Sequence, residues 1–429
     1  MPTKDAHTIA DLLSFLDQTP TAWHAVNNCV NTLVKHDFIE LKEEDAWKIQ
    51  PGGRYFVTRN GSSICAFIAP KHKLQSVRVA VAHTDSPSFK LKPNTEFYKE
   101  NMLMLGVDIY GAPLLNSWLN RDLGIAGRVI FYNHEGKIQE ELVRLDTVPV
   151  VIPQLAIHLD RNVNENGLVL NKQEHLAALV SVKEKPSNNS TFLERMLSNT
   201  LPLKQLISTE LFLFPLESAR LFGEDQELIA SYRIDNLASV HAILQGLIHS
   251  HRPADSHLKM IAFWDNEEVG SHTAQGAGSP FLMHLIERIS LAMECSREEF
   301  FRLLTRSLCA SVDLSHATHP NYSDKHEPRH AVLLNKGIVI KTNAQQRYAT
   351  DARSSAAIID LCHQQEIPFQ HHVPRGDISC GSTVGPVHAN LTGMPTVDIG
   401  CPQLSMHAAR EIMGAVDHLA MCRLIAAFL

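Results

Sequence analysis

The feature that most constrains the fold is a series of short apolar runs that end at side chains able to bind metal ions or protons. The run SVRVAVAH alternates three valines with mostly alanine and ends at His83. The run LKMIAFW leads into Asp265, Glu267 and Glu268, and LCASV leads directly into Asp313. Strands that are apolar on both faces are typical of a sheet covered by helices on both sides. The sequence therefore predicts an α/β fold with a mixed sheet flanked by helices.

Residues 89–229 differ in texture from the rest of the 429-residue chain. Short strand-like pieces are separated there by turn signals, such as Asn133 to Gly136 in RVIFYNHEGKI. We therefore predict one domain from residues 1–88 and 230–429, interrupted by an inserted β-rich domain of residues 89–229.

Two helices are predicted beside the apolar runs. Asp235 and Asn236 can cap a helix that carries its apolar residues on one face. The last helix is predicted to run from about His407 to Leu429, because Ile412 and the apolar residues that follow recur at helical spacing.

The composition argues against several classes of protein. The 39 basic and 46 acidic residues give a net charge of −7, which offers no general surface for nucleic acid. No apolar run approaches the roughly 18 residues of a membrane-spanning helix, and the first residues lack a signal-peptide core. The 8 cysteines form no CxxC pair, so we interpret them as small buried hydrophobes in a reducing compartment and not as a thiolate zinc site. The sequence thus predicts a soluble cytoplasmic protein that binds neither nucleic acid nor membrane.

Several candidate ligands stand at or near the ends of the predicted strands. In open α/β sheets, ligands bind outside the carboxyl ends of the strands, so these side chains are expected to converge. Each also has an ordinary structural interpretation, as a helix cap, a loop carboxylate or a structural imidazole. The prediction depends on finding all of them on one face of one sheet: His83, Asp235, Glu268, Asp313 and His407.

These residue types suit zinc-assisted hydrolysis. Imidazole and carboxylate ligands fit Zn²⁺, and they also accept Co²⁺ or Mn²⁺. Two ions roughly 3.5–4 Å apart need a bridging carboxylate, and a second carboxylate must take a proton from the attacking water. The adjacent Glu267 and Glu268 can serve as base and ligand, and Asp85 can hydrogen-bond the other ring nitrogen of His83.

The chain resembles the aspartyl aminopeptidase family of dinuclear zinc metallopeptidases. The matching segments run from residue 15 to residue 411, and the most specific are VAHTDSP, YRIDNLAS, DNEEVGS, SVDLSHATHPNY, IVIKTNAQQRYATD and TVDIGCPQLSMHAARE. The resemblance implies a zinc-peptidase α/β domain with an inserted β-rich dimerisation domain. It also implies that dimers assemble into a tetrahedral homo-oligomer.

The resemblance further implies a role for each candidate residue. Glu267 would be the general base that later protonates the leaving amine, and Asp85 would orient His83. The order of base and ligand in the Glu267-Glu268 pair comes from the family. The implied ligands are His83, Asp235 and Asp313 for one ion, and the bridging Asp235 with Glu268 and His407 for the other.

Three further residues are implied to contact substrate. His158, in the inserted domain, would reach the active site of a neighbouring subunit; the alternatives are a buried structural histidine or a direct metal ligand. Lys341 would bind an acidic N-terminal side chain, unless it is an edge-strand lysine that faces water. His319 would bind substrate or steady the tetrahedral intermediate.

The predicted function is removal of the N-terminal residue, preferably Asp or Glu, from peptides with a free N-terminus. A related dinuclear amide hydrolase, either a carboxypeptidase or a deacylase, remains an alternative, because Arg347 could bind a C-terminal carboxylate. A non-catalytic scaffold is a second alternative. Such a protein should have lost Glu267 or a ligand, yet every expected position is filled.

Overall fold

The computed structural model describes residues 3–182, 190–250 and 256–429. The chain divides into two compact units. The first consists of Met1–Asp85, Ala219–Met406 and Glu411–Leu429, and the second consists of Ser86–Ser218 and His407–Arg410.

The regular elements are numbered in chain order. The helices are α1 (Thr3–Gln18), α2 (Ala22–Lys35), α3 (Val163–Asn166), α4 (Phe192–Ser198), α5 (Ile234–Ile248), α6 (Phe281–Ala292), α7 (Arg297–Thr305), α8 (Ala352–Gln364), α9 (Val384–Thr392) and α10 (Ala415–Phe428). The strands are β1 (Ile39–Glu40), β2 (Arg54–Arg59), β3 (Ser63–Ile68), β4 (Ser76–His83), β5 (Ser88–Lys99), β6 (Met102–Tyr110), β7 (Leu123–Asn133), β8 (Ile138–Val150), β9 (Ala178–Val182), β10 (Leu203–Pro215), β11 (Arg220–Phe222), β12 (Leu228–Ser231), β13 (His257–Trp264), β14 (Leu308–Val312), β15 (Ser315–His316), β16 (Ile338–Lys341), β17 (Phe369–His372), β18 (Thr396–Gly400), β19 (Pro402–Leu404) and β20 (Glu411–Gly414).

The first unit is built on a nine-stranded sheet. Its strand order is β1-β2-β3-β13-β4-β14-β18-β16-β17. Strand β4 lies between β13 and β14 and runs parallel to both. Strands β3 and β16 are antiparallel to their neighbours β13 and β18, so the sheet is mixed. The predicted α/β fold with a mixed sheet is thereby confirmed.

The two faces of β4 enter different hydrophobic cores. Ala80 and Ala82 lie in a buried cluster with residues of α5 and α10. The valines on the other face lie in a second cluster with residues of α6 and α7, and they are Val77, Val79 and Val81. Helices therefore cover both faces of the sheet, as the apolar pattern predicted.

The start of the last helix differs from the sequence-based prediction. Residues 411–414 form strand β20, which pairs antiparallel with β12 in a five-stranded sheet. Helix α10 begins only at Ala415, after Gly414 as its N-cap. His407 itself has a φ of 66°, outside the helical region. The ladder with β12 gives backbone groups of residues 411–414 partners that a helix would otherwise supply.

The second unit contains a six-stranded sheet with the order β8-β7-β10-β5-β6-β9. Its strand pairs are antiparallel. Gly127 has a φ of +152°, and a side chain there would overlap the carbonyl oxygen of Glu210 on the neighbouring strand. Glycine is therefore required where β7 and β10 approach each other.

A search for membrane-spanning helices among the described residues found none that is long and apolar enough.

Candidate metal and catalytic site

The sheet of the first unit places several predicted site residues at one edge. His83 is the last residue of β4, and Asp313 directly follows β14. Glu267 and Glu268 lie in a short 3-10 turn, Glu267–Val269, just beyond the end of β13. Because β13, β4 and β14 are adjacent and parallel, their carboxyl ends meet at the same edge. The convergence predicted from the apolar runs follows from this register.

His83 forms the centre of the first group of candidate ligands. Its side chain is buried, and its Nε2 lies 3.5 Å from Oδ1 of Asp235 and 3.8 Å from Oδ1 of Asp313. The ligand atoms of these three residues lie within 4.8 Å of one another. Bonds of about 2.0–2.2 Å from zinc to nitrogen and oxygen are compatible with separations of this size between ligand atoms.

The backbone around Asp235 is fixed from two sides. Its amide donates a hydrogen bond of 2.9 Å to Oε2 of Glu411 on β20. The side-chain amide of the next residue, Asn236, donates to the carbonyl oxygen of Val312 at 2.9 Å, next to Asp313. Asp235 and Asn236 have non-helical backbone angles, so the regular part of α5 starts after them. The carboxylate of Asp235 is thus held beside Asp313 and does not serve as a simple helix cap.

Asp85 contacts both His83 and the glutamate pair. Nδ1 of His83 lies 3.0 Å from the backbone carbonyl oxygen of Asp85 and 3.4 Å from its carboxylate. The carboxylate accepts hydrogen bonds from the amides of Glu267, at 3.1 Å, and Glu268, at 3.0 Å. The sequence suggested only the contact between this carboxylate and His83. The structure shows the carbonyl oxygen as the nearer partner and a second contact that fixes the glutamate turn.

The glutamates form a second group with His83. The ligand atoms of His83, Glu267 and Glu268 lie within 4.8 Å of one another. Both glutamates are partly buried, so either carboxylate lies near enough to act as ligand or as base. This geometry does not assign the two roles, which therefore remain a prediction.

The charges of the site favour a bound cation. Burial raises the pKa of Glu267 well above its ordinary value; His83 opposes this rise, and the negative charges of Glu268 and Asp313 add to it. Burial would lower the pKa of His83, but hydrogen bonds to Asp235 and Asp313 raise it well above its ordinary value. Carboxylates concentrated in a buried region need positive charge beside them. The donor set of carboxylates and imidazole fits zinc.

Lys341 lies at the end of β16 and is only 2% exposed. Its Nζ lies 3.9 Å from Oδ2 of Asp313 and 5.4 Å from the centre of the Tyr348 ring. Strand β16 lies between β18 and β17, so the alternative of an edge-strand lysine that faces water is wrong. The ammonium is instead buried beside a candidate metal ligand.

The other predicted substrate residues lie in loops. His319 is half-buried in the first unit, where its Nδ1 accepts a hydrogen bond from the amide of Asn321 and its ring contacts Tyr322. His158 is exposed in the 3-10 turn Ile157–Leu159 of the second unit. The alternative of a buried structural histidine at position 158 is therefore wrong.

His407 belongs to the short segment that groups with the second unit. Its Nδ1 lies 3.1 Å from the carbonyl oxygen of Ala112, and its own carbonyl oxygen accepts a hydrogen bond of 2.8 Å from the amide of Leu114. The hydroxyl of Ser117 accepts a hydrogen bond from the amide of Ala409.

Two residues support the site through contacts that no local pattern indicates, although both lie in the segment TVDIGCPQLSMHAARE. Glu411 is buried and holds the amide of Asp235. A side chain at Gly400 would overlap the carbonyl oxygen of Asp313, so glycine is needed where β18 approaches that loop. Both contacts join positions far apart in the chain, and neither periodicity nor turn chemistry could have revealed them.

The carboxylates and the imidazole at this edge of the sheet have the donor set of a metal site. A family model described as Aminopeptidase I zinc metalloprotease (M18) matches residues 15–429. The chain therefore belongs to the M18 family of zinc aminopeptidases. The family resemblance inferred from the sequence is confirmed, and it favours an aminopeptidase over a carboxypeptidase, a deacylase or a scaffold.

Individual relatives agree with this assignment. A protein of Clostridium novyi (strain NT) named "Probable M18 family aminopeptidase 2" is 38% identical, and the match covers 95% of each chain. Among solved structures, "Cryo-EM structure of the Ape4 and Nbr1 complex" has a TM-score of 0.93 and 35% identity, covering 99% of this chain and 86% of that one. "Structure of S. cerevesiae mApe1 dodecamer" has a TM-score of 0.87 and 26% identity, covering 99% and 96%.

Proposed function

We propose that this zinc aminopeptidase removes an N-terminal Asp or Glu from peptides and holds two zinc ions in each subunit, with Co²⁺ or Mn²⁺ as possible substitutes. The observation that carries the acidic preference is the buried ammonium of Lys341 beside Asp313. The cluster around His83 supports the metal assignment.

The proposed first ion would be held by His83, Asp235 and Asp313. The second would share Asp235 and add Glu268 and His407. The assignment of His407 rests on the family resemblance. It is supported by the contact of its Nδ1 with the carbonyl oxygen of Ala112, because a hydrogen bond to one ring nitrogen orients a metal-binding histidine so that the other nitrogen, here Nε2, is the ligand atom.

Proton transfer is assigned to Glu267. When bound, zinc ions polarise the scissile carbonyl group and lower the pKa of a water molecule. Glu267 takes the proton from the attacking water and later gives it to the leaving amine. Its amide is tied to the carboxylate of Asp85, which fixes the turn that carries it. His319 would contact the substrate or steady the tetrahedral intermediate.

Substrate preference can be tested at Lys341. A charge-assisted hydrogen bond from its ammonium to a substrate carboxylate is worth roughly 1.5–3 kcal/mol. Lys341→Met should therefore lower kcat/KM for Asp and Glu substrates by about ten- to a hundred-and-fifty-fold, at about 1.4 kcal/mol per decade. Leu and Ala substrates should change little, as measured by steady-state kinetics on aminoacyl chromogenic substrates.

Lys259→Met is the matched control for this variant. Lys259 is also a buried strand lysine, 3% exposed, but it lies in the first half of β13, and its Nζ bonds to the hydroxyl of Ser250. Metal content should equal that of the wild type in both variants. An equal loss on all substrates in Lys341→Met would make this residue structural and remove the support for an acidic preference.

The assembly is proposed to be a tetrahedral homo-oligomer of dimers, with residues 89–229 as the dimerisation domain. The similar mApe1 structure is a dodecamer by its title. Exposed apolar side chains flank His158, which is typical of a surface that binds another protein: Leu155, Ile157 and Leu159. We propose that His158 contacts substrate in a neighbouring subunit.

Mixed oligomers test the role of His158. His158→Ala and Glu267→Gln should each be weak or inactive alone. Oligomers assembled from both variants should regain part of the activity, because one chain supplies Glu267 and another supplies His158. If verified mixed oligomers show no gain, His158 acts within its own chain or does not act in catalysis.

We propose that the enzyme works in the cytoplasm. All 8 cysteines are free, which suits a reducing compartment.

The function as a whole is tested by comparing substrates that differ only at the N-terminus. Peptides that begin with Asp or Glu should be cleaved faster than those that begin with Leu or Ala. Acetylation of the N-terminus should abolish cleavage. Equal cleavage of blocked and free peptides would contradict aminopeptidase action, whereas equal cleavage of acidic and apolar peptides would contradict only the preference.

A further inference from the structure

A second cluster of metal-binding side chains lies away from the ends of the central strands, among helices of the first unit. His241 is on α5, and His418 and Cys422 are on α10. Both histidines are buried to 99% or more, and Cys422 is partly buried. Because His418 and Cys422 are four residues apart, their side chains lie on the same face of α10.

The ligand atoms of this cluster converge. Nδ1 of His241 lies 2.9 Å from Nε2 of His418, and Sγ of Cys422 lies 3.5 Å from the same nitrogen. Ligand atoms of the three residues all lie within 4.8 Å of one another. A tetrahedral zinc ion with usual bond lengths separates its ligands by about 3.3 Å between nitrogens and about 3.6 Å between nitrogen and sulfur. The sulfur is thus already at the required distance from Nε2 of His418, and the two nitrogens need to part by roughly 0.4 Å.

Hydrogen bonding alone does not satisfy this cluster. Nε2 of His418 carries either one proton or one lone pair, yet it faces both a ring nitrogen and a sulfur. A buried nitrogen that cannot pair with both of its neighbours costs free energy inside a hydrophobic core. A cation between the three ligand atoms would use both lone pairs and the sulfur at once.

The contact of His241 with a carboxylate is of the kind found at metal-binding histidines. Oδ2 of Asp11, on α1, lies 3.0 Å from Nε2 of His241. A carboxylate on the far ring nitrogen is the usual partner of a metal-binding histidine. Asp11 and His241 also line a cavity of about 260 Å³, and the side chain of Asp11 is 50% exposed. The Asp11 side of the His241 ring therefore borders a cavity.

We propose that His241, His418 and Cys422 form an additional site for a divalent transition-metal ion, with Asp11 orienting His241. Two imidazoles and a thiolate suit zinc and cobalt better than magnesium or calcium. The bound ion would join α5 to α10. The spacing of cysteines could not predict this site, because its ligands come from two helices that are distant in the sequence.

The sulfur ligand provides a specific test. The proposed catalytic ligands contain only nitrogen and oxygen, so a thiolate-to-cobalt charge-transfer band can come only from a cysteine site. When zinc in the full-length protein is exchanged for Co²⁺, we expect such a band in the near ultraviolet, saturating at one ion per subunit. The absence of the band at saturating Co²⁺ would overturn the proposal without any need for a variant.

Two variants identify the cysteine that gives rise to the charge-transfer band. Cys422→Ser should abolish it and lower total bound cobalt by one equivalent, while aminopeptidase activity persists. Cys295→Ser, at another buried free cysteine of the first unit, should leave the band and the metal count unchanged. A band that survives in Cys422→Ser would show that the thiolate belongs elsewhere. None of these outcomes bears on the proposed aminopeptidase function, which has its own substrate test.

Discussion

Replacing Glu267 with glutamine is expected to lower kcat by roughly 10²–10⁴-fold while the bound zinc is retained. The amide keeps the shape of the side chain but cannot accept a proton from water. The backbone contact between Glu267 and Asp85 does not involve the altered group, so the turn should stay in place. Steady-state kinetics and metal analysis on the same preparation measure the two effects.

Glu268→Gln is the matched comparison, because Glu267 and Glu268 both lie near His83. This change should weaken binding of the second zinc ion, so metal content should fall together with activity. If Glu267→Gln loses metal while Glu268→Gln keeps it, the two roles are reversed. The pair of variants thus settles a question that the positions of the two carboxylates leave open.

Asp235→Asn should have an effect at least as large. A carboxylate that bridges two ions contributes to both, so its replacement is expected to reduce the zinc bound at the catalytic ligands to below one ion per subunit. Lewis-acid activation is worth several kcal/mol, which corresponds to a loss of about 10³-fold or more in kcat/KM at 1.36 kcal/mol per decade. The amide of Asp235 keeps its bond to Glu411, so the backbone should be preserved.

Asp398→Asn serves as its control. Asp398 is a fully buried carboxylate of β18 that bonds to the hydroxyl of Thr383 and is not a proposed ligand. It should keep wild-type zinc content even if stability declines. If Asp235→Asn retains both ions at the catalytic ligands, the bridging role is wrong. If Asp398→Asn also loses zinc, metal loss reflects general destabilisation.

Part of this site could be predicted from local sequence because its residues terminate apolar strands. The valine and alanine faces of β4 indicated a strand covered on both sides, and each face does enter its own core. His83 and Asp313 follow from the same pattern, since the ends of adjacent parallel strands meet at one edge. The alternation of valine and alanine along β4 and the packing of this strand between two layers of helices both result from burial of the same side chains.

Other features depend on pairings that no local pattern encodes. The segment before α10 has apolar residues at helical spacing, but its backbone pairs with β12 and forms β20. The bond between Glu411 and the amide of Asp235 arises from that pairing. The contacts of the Asp85 carboxylate with the amides of Glu267 and Glu268 likewise require the turn after β13 to be folded against β4. The sequence pointed to Asp85 and Asp235 as site residues, but it did not predict their contacts with the glutamate turn and with Glu411.

The most direct test of the central claim is anomalous X-ray scattering at the zinc absorption edge from crystals of the full-length protein. We expect two strong peaks in each subunit among the proposed catalytic ligands, both next to Asp235, in addition to any peak at the cluster of His241, His418 and Cys422. One should lie among His83, Asp235 and Asp313, and the other among Asp235, Glu268 and His407. A single peak among these ligands would contradict the dinuclear site. A peak coordinated by Glu267 would contradict its assignment as the base.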